Sequence, residues 1–403
     1  MKEDIQVKIH NREMGRLFYE RDIDKYGFNY VNDSSPISLI MPYKKSTYSW
    51  NRYLHPIFDM NMPEGYLLEL FKNYLNKKYS YIDDYLIFSY LAPNIESRLN
   101  YISWNDQKSF DGVDIQEICE NDTKDTFESL VKMFFQKNAI SGVQPKTTAL
   151  LKDKESLATK EYIIKAWGEE YPYLAENEYF CLKAVEKTNV KIPNIQLSNH
   201  NNFLLVERFN YNKKQDSYYG FEEILVLLGK NKNQKYSGSY EQVVNTIYEV
   251  TTDKLKSMQD IFKTIVMNYL LKNGDAHLKN FGILYDDDFK SISFAPAYDI
   301  VNTTVYFYKD RPALTMFGKK GWFSKKHLIQ FGQEHCYLSK SESMVLYDQC
   351  IDALENTIIE LQAYINDNIK FKNIGSRMID TWKLSLTDKP YKELPNEITR
   401  NWS

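Results

Sequence analysis

The sequence predicts an α+β chain, with short strands dominating the first half and helices the remainder. Three observations carry that reading. Apolar residues alternate in short pieces over residues 1–112, strand-like runs flank a single helix in the middle third, and beyond about residue 215 apolar residues recur at i, i+3, i+4 and i+7. The chain has 403 residues, 43% hydrophobic and 26% charged, the composition of a folded protein. At roughly 100–200 residues per domain it divides into two or three compact units.

In the first part, Ile5–Ile9, Arg16–Tyr19, Phe28–Val31 and Ile37–Met41 read as strands, the last two separated by the polar turn at residues 32–36. Asp59–Asn76 reads as a helix with Leu67, Leu68, Leu70 and Phe71 as its apolar stripe. The polar stretch Asn105–Asp114 is the expected boundary, giving an N-terminal subdomain over residues 1–112. Thr148–Leu151, Tyr162–Lys165, Ile195–Leu197 and Phe203–Glu207 read as strands and Ala175–Thr188 as a helix, within a small lobe spanning residues 113–214. A helical lobe over residues 215–403 follows. Its helices are marked by Leu255, Met258, Ile261, Phe262, Ile265, Val266 and Tyr269, and later by Ile351, Leu354, Ile358, Leu361 and Ile365.

Charge and composition exclude some functions. Fifty-one Lys plus Arg against 54 Asp plus Glu leave a net charge of −3, so nucleic acid is attracted only through a local basic patch. Lys319, Lys320, Lys325 and Lys326 in GKKGWFSKK form one such cluster, for which a solvated loop is the plainer reading. Cys119, Cys181, Cys336 and Cys350 make no CxxC pair and read as reduced, buried thiols, and the histidines are not spaced as zinc ligands. No apolar h-region opens the chain and no run approaches the ~20 residues that cross a bilayer, so a soluble, cytoplasmic protein without membrane contact is expected.

The chemistry concentrates in Asn273–Ile300, NGDAHLKNFGILYDDDFKSISFAPAYDI. Asp275 is followed five residues on by Asn280, and a strand–turn–strand segment then leads to Asp299. Protein kinases need an Asp to accept the substrate hydroxyl proton, an Asn five residues later for one Mg²⁺, and a second Asp for the metals bridging the phosphates. The hairpin returns Asp299 beside Asn280, so two oxygen ligands distant in sequence can share a hard cation. His277 is placed to brace the loop and Lys279 to balance phosphate charge, while Asp286–Asp288 reads as a solvated turn. Upstream, Lys165 ends the apolar run Tyr162–Lys165. Glu178 shares a helix face with Cys181, Leu182 and Val185, and an acid aimed inward needs a partner, which Lys165 supplies. Glu176, on another face near Lys183, ranks second. Ser141, Gly142 and Val143 in ISGVQPK form the candidate phosphate-covering loop, which has neither GxGxxG nor a Walker pattern.

Together, ISGVQPKTTALL (140–151), YIIK (162–165), AENEYFCLK (175–183), LLVERF (204–209), NGDAHLKNF (273–281) and APAYDI (295–300) resemble the HipA family of bacterial toxin kinases. PISLIMP (36–42) and HPIFDMNMPEG (55–65) are similar to that family's N-terminal subdomain. The resemblance implies a two-lobed, protein-kinase-like fold with an added N-terminal β-rich subdomain and a helical C-terminal lobe. It implies serine/threonine kinase activity with ATP and Mg²⁺, and a toxin role with a helix-turn-helix antitoxin through which operator DNA is reached. By the same similarity Asp275 is the catalytic base, Asn280 and Asp299 hold Mg²⁺, and Lys165 contacts ATP phosphates. Glu207, Arg208 and Phe209 form the hinge that meets adenine, and a host protein, in some relatives an aminoacyl-tRNA synthetase, is the substrate. Many relatives carry a regulatory serine three residues before the loop glycine; here that position is Ala139, leaving Ser141 as the autophosphorylation candidate. A small-molecule phosphotransferase and a catalytically idle corepressor are the competing readings. The intact Lys165, Asp275, Asn280 and Asp299 weigh against the second of these.

Overall fold

The computed structural model describes residues 3–31, 35–105, 115–137, 155–158, 161–168 and 170–387. The first body is a five-stranded antiparallel sheet in the spatial order Tyr48–Asn51, Lys25–Tyr30, Arg12–Glu20, Ile5–Ile9, Leu99–Ile102. Ile5, Val7 and Ile9 all point inward, the period-2 pattern of a half-buried strand. Beneath the sheet, an aromatic chain runs from Phe28 to Phe58 (6.0 Å between centroids), Phe88 (5.9 Å) and Tyr101 (5.2 Å).

Two expected elements differ here. Ile37–Met41 is a turn closed by a Ser38–Met41 bridge rather than a strand, because Ser38 and the Leu39 amide turn away to the buried carboxylate of Glu222, each at 2.9 Å. The helix expected over 59–76 divides into Pro56–Asp59 and Gly65–Leu75. Pro63 cannot donate a helical bond, and Gly65 sits at φ +57°, which a continuing helix does not allow. The expected boundary falls largely outside the described residues.

A four-stranded antiparallel sheet follows, ordered Glu155–Ala158, Tyr162–Ala166, Phe203–Glu207, Ile195–Leu197. Its alternation matters to the site. Ile164, Ala166, Phe203 and Leu205 face the core of the first body. Lys165 pairs with Leu204 and Ile163 with Val206 on the opposite face, against the helix Leu174–Glu186. The strand expected at 148–151 lies outside the described residues.

The helical lobe is built on Lys254–Leu270, which buries Ile261, Phe262, Ile265 and Val266, and on Tyr240–Val250, Lys325–Glu334, Lys340–Asp367 and Lys372–Leu386. Ser239 with Gln242, and Ser339 with Glu342, form capping boxes that fix two of the helix starts. A three-stranded sheet, Gly220–Glu223, Gly282–Tyr285 and Ile292–Phe294, carries the expected hairpin. Its turn is not merely solvated. Asp287 accepts from the buried Arg98 at 2.7 Å and bonds His10 at 2.8 Å, tying the hairpin to the N-terminal body. All four cysteines are buried, and among the described residues no helix is long and apolar enough to cross a membrane.

Candidate active site

One cavity of about 1220 Å³ collects most of the predicted residues. Lys165, Glu178, Glu207, Arg208, Phe209, Asp275, His277, Lys279 and Asp299 all line it, together with the Asn61–Gly65 turn of the N-terminal body. That volume exceeds the ~300–1,000 Å³ of ordinary small-ligand pockets, so it has room for a nucleotide and a second substrate.

Lys165 is fixed by two acids. Its Nζ donates to Glu178 Oε1 at 2.5 Å and also to Asp299 Oδ1. Burial alone would lower the Lys165 pKa, but the Asp299 and Glu178 carboxylates outweigh it and hold the ammonium above its ordinary range. The strand–helix pairing expected from sequence is therefore present, and Glu176 takes no part in it. Glu176 is buried beside the first turn of the same helix, and Lys183 bonds Glu186 instead. Burial raises the Glu176 carboxyl to about 8.

Asp299 sits at φ +59°, a left-handed backbone that Asp tolerates better than most residues and that concentrates at functional positions. Its Oδ2 accepts from Asn280 Nδ2 at 3.0 Å, so the hairpin does bring the two proposed metal ligands together. One carboxylate and one amide fit a Mg²⁺ ion, which takes one or two protein carboxylates and fills its octahedron with water and phosphate oxygens. A cage of three or more acidic, His or Cys side chains is absent among the described residues.

Asp275 is held by a turn in which its amide donates to Asn273 Oδ1 at 3.1 Å, while Asn273 Nδ2 donates to Asn268 at 2.7 Å. His277 braces the loop through its backbone, its amide donating to Asp275 O at 2.8 Å and to Asn280 Oδ1 at 2.9 Å. Lys279 does not face the cavity as a free charge. It is ion-paired with Glu64 of the N-terminal body and lies 3.7 Å from Glu223.

The hinge side chains are committed to structure. Glu207 binds Lys213 (2.9 Å) and Asn194 (2.7 Å), and Arg208 donates to Glu96 O at 2.5 Å. Their amides donate to Asn194 O and Glu161 O, at 2.8 and 2.7 Å. Phe209 forms an aromatic wall with Phe221 (5.3 Å) and Tyr298 (5.6 Å). Ser141, Gly142 and Val143 lie outside the described residues. In the basic cluster, Lys325 bonds Asp348 at 2.8 Å while Lys319 and Lys320 are exposed.

Sequence reasoning missed several residues that build this site. Asn177 donates to Asn302 O (3.0 Å) and accepts from the Asn302 amide (2.8 Å), locking the Glu178 helix to the segment after Asp299. Tyr298 Oη donates to Lys279 O at 2.7 Å, and the Gly274 amide to Thr303 Oγ1 at 2.8 Å. Asn177, between Glu176 and Glu178 in a polar first turn, gave no signal of its own, and Glu64 and Tyr298 offered none.

Comparison with known proteins agrees with this architecture. A family model described as the HipA-like C-terminal domain matches residues 138–358, and one described as the HipA N-terminal domain matches residues 5–93. A Haemophilus influenzae protein named "Putative kinase" is 33% identical over 185 residues, covering 42% of this chain and 53% of its own length. A Sinorhizobium fredii protein named "Putative kinase Y4dM" is 22% identical over 288 residues, covering 65% of this chain and 66% of its own. The chain thus spans about half to two-thirds of these relatives. A solved complex of HipA, HipB and operator DNA from Shewanella oneidensis has a chain that superposes with a TM-score of 0.69 at 13% identity, covering 97% of this chain and 99% of that one. The fold is accordingly the two-lobed, kinase-like α+β architecture with an added N-terminal β-rich subdomain.

Proposed function

The chain belongs to the HipA-like family, and on that premise we propose that it is an ATP-dependent serine/threonine protein kinase, the toxin of a toxin–antitoxin pair. The observation that carries the reading is the convergence of Lys165, Glu178, Asp275 and Asp299 on one cavity from four separate stretches of sequence, with Asn280 bonded to Asp299 at its edge. Lys165 would hold the nucleotide phosphates and Asp275 would accept the proton of the attacking hydroxyl. Asn280 and Asp299 would hold Mg²⁺, which neutralises charge developing on the phosphates. Since the Glu207 and Arg208 amides are engaged inside the protein, the base would be read by hinge carbonyls, the Phe209 amide and the aromatic wall.

In this reading a host protein receives the phosphate, an aminoacyl-tRNA synthetase being one candidate, and growth stops. A helix-turn-helix antitoxin is the proposed partner, with DNA reached only through it; the HipA–HipB–operator complex of the structural relative supports that arrangement. Ser141 remains the proposed silencing site, because a phosphate there would add about −1.5 to −2 charges to the segment proposed to cover the nucleotide phosphates. Transfer of radiolabelled γ-phosphate from ATP into proteins of a bacterial lysate tests the assignment. A labelled protein band that disappears with the Asp275→Asn variant is expected, and ATP hydrolysis or small-molecule phosphorylation without any protein label would replace it with the phosphotransferase reading.

A further inference from the structure

The acceptor position of this site is already filled. Tyr236 Oη donates to Asp275 Oδ1 at 3.0 Å, within the range expected between a general base and the hydroxyl it activates. The ring stands edge-on to His277 at 5.2 Å, and the loop carrying it is fastened to the catalytic loop by the Leu278 amide, which donates to Lys235 O at 3.1 Å. Tyr236 lines the same cavity as Lys165, Asp275 and Asp299, yet the residue is 46% exposed.

From this geometry, and resting on the kinase reading above, we propose that Tyr236 is a self-modification site, phosphorylated within its own chain. The phenolic oxygen forms a bond to the γ-phosphorus of ATP, and the bond from that phosphorus to the β,γ-bridging oxygen breaks. ADP leaves with the electron pair, and the phenolic proton passes to Asp275. The product places a phosphate beside the Asp275 carboxylate, and repulsion between them turns the ring out of the cavity. Lys235, whose ammonium reaches Glu64 at 3.1 Å and lies 5.4 Å from the Tyr236 ring, is a cation placed to receive it. The aromatic acceptor is chemically distinct from the serine or threonine of the proposed substrate, so phosphoamino-acid analysis separates the two.

The test incubates the full chain with ATP and Mg²⁺ and follows intact mass and peptide maps. One phosphate mapping to Tyr236 is expected, formed at a rate independent of protein concentration and absent from Asp275→Asn. Tyr236→Phe should lose that phosphate while keeping the wild-type melt. Labelling of lysate protein by the wild type with Tyr236 unmodified overturns this inference and leaves the kinase reading standing. Absence of both labels overturns the two together.

Discussion

Lys165 Nζ lies 2.5 Å from Glu178 Oε1, and the carboxylate it meets is almost wholly buried. Two local patterns create the pair: strand alternation puts Lys165 on the helix-facing side of its sheet, and the 3.6-residue period turns Glu178 inward. Glu178→Gln removes one of the two charges that hold Lys165. A loss on the order of 2 kcal/mol in stability is expected, less than the ~3–5 kcal/mol for breaking a buried pair outright, because Asp299 still holds the ammonium. Urea denaturation reads that loss. ATP affinity should fall with it, since Lys165 is then drawn toward Asp299; an unchanged midpoint and affinity would show the pair to be dispensable.

The Glu64–Lys279 pair joins the N-terminal body to the loop that carries Asp275. Burial would raise the Glu64 carboxyl, but Lys279 and Lys235 bring it down to about 2. With the folded pKa below the unfolded one, the contribution is complete above about pH 4.5 and is lost as pH falls toward 2. Glu64→Gln should therefore cost about 1–2 kcal/mol at neutral pH, moderated because Glu64 is 36% exposed. The gap between wild type and variant should close on acidification below pH 4; a gap independent of pH would assign the cost to packing.

Glu176 works in the opposite sense. Burial raises its carboxyl to about 8, and Oε2 has no hydrogen-bond partner among the described residues. The unfolded chain releases this proton near pH 4.5 and the folded chain only near 8, so stability declines across that interval. Glu176→Gln is expected to stabilise the protein by about 1–3 kcal/mol at pH 8 and hardly at all at pH 4.5. Thermal melts at the two pH values check it, and equal shifts at both would contradict a neutral buried carboxyl.

Much of this was legible because it is local. The strands Ile5–Ile9, Ile195–Leu197 and Phe203–Glu207 occur with the expected bounds, and the Asp275–Asn280 spacing with its hairpin placed Asp299 where it is found. What was not legible depends on long-range partners. Lys279 reads as a phosphate ligand until Glu64, 215 residues away, is seen to claim it. Asp287 reads as solvent-facing until Arg98 arrives from the N-terminal body, and Ile37–Met41 has an apolar strand pattern whose backbone instead serves Glu222. Tyr236 gave no signal at all, because nothing local says that a loop tyrosine meets an aspartate 39 residues later.

The central claim is that Asp275 is the base of a phosphoryl-transfer site. Its most direct measurement compares wild type and Asp275→Asn in one assay of γ-phosphate transfer to protein, with ATP affinity measured on the same preparations. The account predicts a loss of about 10²–10⁴-fold in transfer, on the order of 3–5 kcal/mol of barrier, at unchanged nucleotide affinity. Transfer by the variant at the wild-type rate would contradict it.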